Sequence, residues 1–504
     1  MCSGMVCGVT TLVLGAALVI ASSIVGFLVI PGIVENGIIN EVILLNDTEQ
    51  LERFKQLPMP LSFSIRLFNI SNAEEVLEGA VPELTEVGPY TYKMYHGREV
   101  EGMEEDLLRY RLLSRFEFDP EASYPYSEDD LVHVTNIAYH GVLQAASELV
   151  PGLMPLLNLA MDGIFGDRNA PIAAIRVGDL LFDGIKLCEG PGIVGGLACG
   201  IIRDLSESIQ NMAVQEDNSI EFSVMGYRNN KPGSLLEVAR GIEDHFNLGR
   251  ITALNGLPEL LYWAGADVNM TGSPTVCNMI NGTDSGIFHP FIDTEEPLYA
   301  LNTDICRSVE LRYQYDVEYQ GVPAVRYSAN EWYLNNDDGC FCLNRTEGVT
   351  RENGCLLQGA MEMYSCVGAF MVMSYPHFLY ADMRYRNGVL GLNPIEEDHR
   401  IFLDLEPNTG TVVRGAKRGQ FNVFMRPIAG IPATQNLRTT LTPLLWIEEG
   451  IQLTEEFTDR LSSDLLSTLS LVNILVPVAV ALSAAVLLTG ITIIACVCCK
   501  SKKA

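Results

Sequence analysis

Thirteen cysteines are the side chains with the most chemistry to offer in this 504-residue chain. Five of them, Cys2, Cys7, Cys496, Cys498 and Cys499, lie in its two ends. The other eight, Cys188, Cys199, Cys277, Cys306, Cys340, Cys342, Cys355 and Cys366, lie between. An even number of thiols in an oxidising compartment pairs as disulfides, and eight allow roughly a hundred connectivities. Cys340 and Cys342 flank Phe341 and point to opposite sides of an extended segment, so they take different partners. Cys188 and Cys199 bracket a Gly-rich loop and are natural partners. Zinc would need CxxC spacing with histidine nearby, which none of the eight provides, so no metal site is expected.

Other motifs carry less. Gly190-Pro-Gly192-Ile-Val-Gly195 has GxGxxG spacing. A dinucleotide site needs that spacing between a strand and a helix of a parallel unit, whereas here it sits between two cysteines. No nucleophile elbow, zinc-helix motif or P-loop is present. Asp284-Ser-Gly286 loosely resembles the phosphate loops of two-span ectonucleotidases, but Ile287 stands where a hydroxyl is needed and no second copy occurs. His399 follows Glu396, Glu397 and Asp398 and reads as part of a charged turn after Asn393-Pro394. Neither a catalytic residue nor a cofactor is expected.

Charge sets the frame around these residues. The chain has 33 Lys+Arg against 63 Asp+Glu, a formal −30, which argues against a nucleic-acid binder. At 48% hydrophobic residues it is not disordered. No charged side chain precedes Glu35, and none lies between Asp464 and Lys500. Val9 to Ile30 is 22 residues long, about 33 Å as a helix and enough for a bilayer core of about 30 Å. A second apolar run covers Leu471 to Val497. The first is too long, and has no basic residue before it, to suit a cleaved signal peptide; it reads as a signal anchor. Lys500, Lys502 and Lys503 place the C-terminus in the cytoplasm, and two spans bring the N-terminus there as well. The expected organisation is a cytoplasmic stretch 1–8, a span 9–30, an external domain 31–469, a span 470–497 and a cytoplasmic tail 498–504. Without those three lysines, 30 basic residues remain against 63 acidic ones, so the external domain carries −33. Five N-glycosylation sequons, at Asn46, Asn69, Asn269, Asn281 and Asn344, all fall in it. The five terminal cysteines abut the spans on the cytoplasmic side and are candidates for palmitoylation.

Segments rich in β-branched and aromatic residues dominate 58–135 and 310–430, as in an antiparallel sheet or barrel. Residues 136–165 read as helix broken near Pro151-Gly152 and Pro155, and 172–186 and 201–213 add short helical patterns. The stretch 149–165 contains Leu149, Val150, Leu153, Met154, Leu156, Leu157, Leu159, Met161 and Phe165. Buried, it is core; exposed, it marks a partner or lipid surface.

Specific motifs then accumulate. Cys277-Asn-Met-Ile-Asn-Gly-Thr-Asp284, Asp304-Ile-Cys-Arg-Ser308 and Cys340-Phe-Cys342 are joined by Tyr375-Pro-His-Phe-Leu-Tyr-Ala-Asp382, Gly391-Leu-Asn-Pro394 and Leu403-Asp-Leu-Glu-Pro-Asn-Thr-Gly410. Leu67-Phe-Asn-Ile and Glu86-Val-Gly-Pro-Tyr90 belong with them. Together they resemble the class B scavenger receptor family of fatty acid translocase, the lysosomal integral membrane protein and insect sensory neuron membrane proteins, over nearly the whole chain. The resemblance implies an α+β ectodomain: an antiparallel β-barrel with a helical bundle at the apex (about 136–213) and a disulfide-rich part (277–366), anchored by two terminal transmembrane helices. It implies the pairs Cys277–Cys340, Cys306–Cys366 and Cys342–Cys355, with Cys188–Cys199 as an addition. It implies lipid binding, with an apolar tunnel through the barrel, and makes 149–165 the docking apex, now expected to be exposed. One departure is that 149–167 contains no Lys or Arg, so a cationic apex for anionic particles is absent. Another is the short basic tail, which has no dileucine sorting signal.

The expected function is a non-enzymatic cell-surface receptor that binds hydrophobic ligands at the apex and passes them through the ectodomain to the membrane. The alternatives are a two-span ligand-gated channel and an ectoenzyme. Expected partners are hydrophobic lipids or lipid-carrying particles, the membrane, and a second copy or a co-receptor, but no nucleic acid. The plasma membrane is the expected location, with endosomal, lysosomal or endoplasmic reticulum residence as alternatives. The acid excess points to neutral or weakly charged cargo.

Overall fold

The computed structural model describes residues 4–501 except 208, 267, 268, 270–274, 337 and 338. The chain divides into two compact units. One comprises Met1–Ile43, Glu318–Pro323 and Leu453–Ala504; the other comprises Leu44–Val317 and Ala324–Gln452.

In the first unit, α1 (Gly4–Ile24), a π turn (Val25–Val29) and α2 (Ile30–Val42) form one helical run of 39 residues. The helix therefore continues twelve residues past the expected end at Ile30. Pro31 does not stop it because it occupies the first turn of α2, where a missing N–H costs least, and a π turn precedes it. The second candidate span runs Glu455–Cys499; we call its long segment Ser467–Ser501 α6, keeping α3 to α5 for the three longest helices of the other unit. The two run antiparallel, with Gly8 against Ile494, Gly15 against Leu487 and Gly26 against Val476. A Cβ on Gly15 would sit 2.5 Å from the Leu487 backbone. Small residues that let backbones approach are the main packing device where lipid removes the hydrophobic drive between helices. The hydroxyls of Ser483, Thr489 and Thr492 each donate to a carbonyl one turn back in their own helix.

The second unit is built on a long antiparallel sheet. Its first strands are β1 (Leu61–Ile70), β2 (Leu84–Glu104) and β3 (Leu107–Phe118). An antiparallel pair of β4 (Leu131–Thr135) with β5 (Ile172–Arg176) follows, then a small sheet of β6 (Ile185–Leu187), β7 (Met212–Val214) and β8 (Ile220–Phe222). The chain returns as β9 (Pro232–Ala239), β10 (Ile251–Leu254), β11 (Leu298–Asn302), β12 (Arg307–Tyr319) and β13 (Val322–Ala329). It ends with β14 (Ala360–Glu362), β15 (Val372–Ser374), β16 (Ile401–Leu405), β17 (Val412–Met425) and β18 (Thr440–Gln452). The path is β10-β9-β3-β2-β1-β18-β17-β16-β13-β12-β11, with β15 added to β17 and β14 to β15. The sheet nearly closes on itself. Gly282 accepts from Ile251 N–H at the β10 edge, while Thr283 exchanges hydrogen bonds with Tyr299 and Leu301 on β11. Only glycine fits at 282: φ is +79°, and a Cβ would meet the Tyr299 carbonyl oxygen.

Among the described residues of this unit, the three longest helices lie together in one stretch. α3 (Ile137–Leu149) and α4 (Met154–Phe165) are separated by a 3₁₀ turn at Pro151–Leu153, where the axis bends by 118°. α5 spans Gly192–Ser206. The break at Pro151 and Pro155 is where the sequence places it. The rest of the region differs. Residues 172–176 are strand, because they pair with β4, and the helix expected over 201–213 ends at Ser206 before β7. Its start lies inside what reads as a Gly-rich loop.

Candidate functional site

The helical part of the second unit, expected to form the apex, is built from α3, α4 and α5. Asn136 starts α3, its side-chain oxygen accepting from Tyr139 N–H while its amide donates to the Arg168 and Ala170 carbonyls that close the excursion. α3 buries Tyr139, His140 and Leu143. His140 Nε2 donates to the Pro171 carbonyl. Burial depresses this imidazole to about 4, with Arg426 adding to the effect.

α4 has two apolar faces. Met154, Met161 and Phe165 are buried and Leu157 is half-buried, so these four do not belong to the outer surface expected of the whole stretch. The helical period turns them inward with Ala160 and Ile164. Leu149, Val150, Leu153, Leu156 and Leu159 face outward, Leu159 being 71% exposed. α5 adds a stripe the sequence reading missed: Ile193, Val194, Leu197 and Ile201 are all exposed, Ile193 at 91%. Their spacing of four was the available signal. The helices cross at glycine. A Cβ on Gly163 would lie 2.4 Å from the Pro191 carbonyl oxygen, and one on Gly195 would lie 3.0 Å from the Gly163 Cα. No charged residue occurs in 149–161 or 190–202.

A second feature is a cavity of about 500 Å³ within the same unit. Three neighbouring strands line it: Ile401 and Leu403 of β16, Lys417, Arg418, Gly419 and Phe421 of β17, and Ile447 and Glu449 of β18. Phe63, Met225, Leu301 and Met373 extend the apolar lining. Across it runs a bridge of charge. Lys417 stands opposite Glu449 in register and reaches it at 2.8 Å. Arg228 approaches Glu449 at 3.7 Å and Asp304 at 3.2 Å. Burial alone would raise the Glu449 carboxyl, but Lys417 and Arg228 outweigh it and hold it at about 2. His96, also on the lining, is brought down to about 4 by burial and by Arg98. These four charges come from four separate places in the chain and carry no local motif. A larger open hollow of about 1010 Å³ is lined by Glu104, Glu105, Asp106 and Glu243, a rim suited to water rather than apolar cargo.

Residues 13–494 match the model of the CD36 family. The chain belongs to the CD36 family. It is similar to sensory neuron membrane protein 2 of Drosophila melanogaster, with 32% identity over 92% of each chain. It is similar to the sensory neuron membrane protein 2 of Heliothis virescens at 34%, over 90% of this chain and 86% of the relative. Sensory neuron membrane protein 1 of Pediculus humanus subsp. corporis is 31% identical over 87% of this chain and 82% of its own.

In this CD36-family chain the disulfides are Cys277–Cys340, Cys306–Cys366 and Cys342–Cys355, the pairs that the resemblance implies, and Cys188–Cys199, the pair that brackets the Gly-rich segment. Cys7 is half-buried, and Cys496, Cys498 and Cys499 are exposed thiols. Cys2 lies outside the described residues. Among the sequons, Asn46, Asn269 and Asn344 are exposed and Asn69 and Asn281 half-buried. Motif residues that suggested chemistry turn out to hold the fold. Asp284 is buried against Arg98 at 2.6 Å and accepts from Tyr110. His377 takes the Asn393 N–H on Nδ1, so its Nε2 donates to Glu86 at 2.6 Å. Its ring stacks on His399, 4.4 Å away. Gly190 and Gly192 turn the chain with positive φ into α5, beside an antiparallel sheet rather than a parallel one.

Proposed function

We propose that this chain is a plasma-membrane receptor, both termini cytoplasmic, that collects hydrophobic ligands at the outward face of α4 and α5 and passes them through the sheet-lined cavity toward the bilayer. The observation that carries this reading is the exposure of nine large aliphatic side chains on and beside two helices without a cation among them. Burying each methylene of an acyl chain is worth about 0.8 kcal/mol, which drives capture without chemistry. The names of the relatives support a sensory membrane as the setting. The same reading takes the five sequons as glycosylated and the terminal cysteines as palmitoylated.

The test is uptake of a fluorescent long-chain lipid by cells expressing the full chain. Leu156→Asp combined with Leu197→Asp is expected to reduce transfer several-fold at equal surface amount. Undiminished transfer counts against the apex as the port of capture.

A further inference from the structure

The cavity says more about cargo than its apolar lining does. Nearly every cation on its wall is already matched by an acid. Lys417 has Glu449, Arg228 has Glu449 and Asp304, Arg418 has Glu448 at 2.6 Å and Arg111 has Glu101 at 2.6 Å. Asp284 is taken by Arg98. The remaining lining cation, Lys231, is exposed.

We propose that the bridge of Lys417, Glu449, Arg228 and Asp304 is a charge filter: the cavity takes an apolar chain that ends in an uncharged polar head and turns away the same chain ending in carboxylate. The proposal rests on the reading above that this cavity holds lipid. Its volume, about 500 Å³, lies within the range of roughly 300–1,000 Å³ usual for small-ligand sites. Two positive and two negative groups leave the bridge neutral. A hydroxyl, aldehyde or ester head can accept a hydrogen bond from the Lys417 ammonium without disturbing that balance. A carboxylate drawn to Lys417 must instead settle beside Glu449, the cross-strand partner of that lysine. Two carboxylates that share a site cannot both ionise freely, and one of the two carboxyl pKa values is raised. The other groups facing Glu449 do not relieve this: His96 is neutral above about 4, and Arg228 is shared with Asp304. Because Glu449 stays ionised down to about 2, the incoming acid is the partner that must protonate or leave.

The experiment uses the full chain in detergent and two probes, 1-hexadecanol and hexadecanoate, competing for a fluorescent hexadecyl reporter at about pH 8, well above ordinary carboxyl pKa values. Glu449→Gln is expected to raise the carboxylate-to-alcohol affinity ratio about tenfold, the equivalent of one pKa unit of like-charge repulsion. Pairing it with Lys417→Gln restores neutrality and is expected to return the ratio to that of the unaltered protein. Asp304→Asn, on the turn after β11, tests the same bridge from its other end and is expected to raise the ratio too, so the outcome does not hang on the folding of one variant. A ratio unmoved in both single variants, with the alcohol still bound, overturns the filter and leaves the cavity as a lipid site. Failure of the unaltered protein to bind either probe defeats the lipid reading itself, and the filter with it.

Discussion

Two helix pairs in this chain pack through glycine, and they treat the apolar surface left over in opposite ways. α1 and the π turn after it meet α6 along Gly8, Gly15 and Gly26, and α4 and α5 meet at Gly163 and Gly195. In the first pair little is spared for a protein interior: α1 buries only Gly8 and Gly15, and most of its leucines and valines look outward. In the second, each helix has one side sunk in the core and an opposite side that is equally apolar. The bent run from Ile137 to Arg168 even has the length and composition of a span. Apolarity alone therefore does not separate a membrane helix from one that lies on a folded domain. The distinguishing mark is a buried face.

The sharpest way to break this comparison is to put the same charge on each pair. Leu14→Asp, at an outward position of α1, is expected to cost about 3 kcal/mol of insertion, read as the fraction of chain integrated into the membrane. If Leu14→Asp inserts normally, α1 is not surrounded by lipid.

Acid should separate the pairs next. His140 titrates near 4 when folded against an ordinary value of about 6.5, so the folded state binds the proton later than the unfolded one. Its stabilising contribution is present above about 6.5 and is lost as pH falls toward 4, reaching about 2 kcal/mol by pH 5. Denaturation of the ectodomain followed against pH should show that slope, and His140→Gln should flatten it. Helices α1 and α6 have no titratable carboxylate, histidine or lysine between Gly4 and Glu35 or between Ser467 and Cys499, so their association should not follow.

Gly163→Ala tests the apical crossing. The added Cβ meets a backbone oxygen at 2.4 Å, and forced overpacking of this kind costs about 1–3 kcal/mol, visible as a lower melting temperature. The smallest expected effect is Leu197→Asp. That side chain is 71% exposed, and its replacement should change stability by no more than about 0.5 kcal/mol while still impairing lipid capture.

What the sequence made legible follows the range of the forces involved. The spans rest on local composition, and the break at Pro151 and Pro155 on local backbone chemistry, so both could be read directly. β5 could not, since its partner Leu131–Thr135 lies a whole helical excursion away. α5 was hidden for a related reason. Its glycines weaken a helix in isolation, and the contact that requires them, at Gly163, is tertiary. The inward turn of Met154, Met161 and Phe165 was recoverable from helical period, whereas the charge bridge was not. Arg228, Asp304, Lys417 and Glu449 become neighbours only when the sheet curls.

The bond between Cys188 and Cys199 fixes the middle of α5 to the end of β6, and the Cys188 N–H holds the Ile164 carbonyl near the end of α4. An exposed aliphatic helix left loose would be the segment readiest to fray or to swap into a neighbouring molecule. Fastened in this way, it would have little disorder to surrender to the ligand proposed above, so the ordering penalty of that capture would be small. Encounter rather than rearrangement should then set the pace of capture, and reduction of this one bond should slow the arrival of cargo without touching the passage behind it.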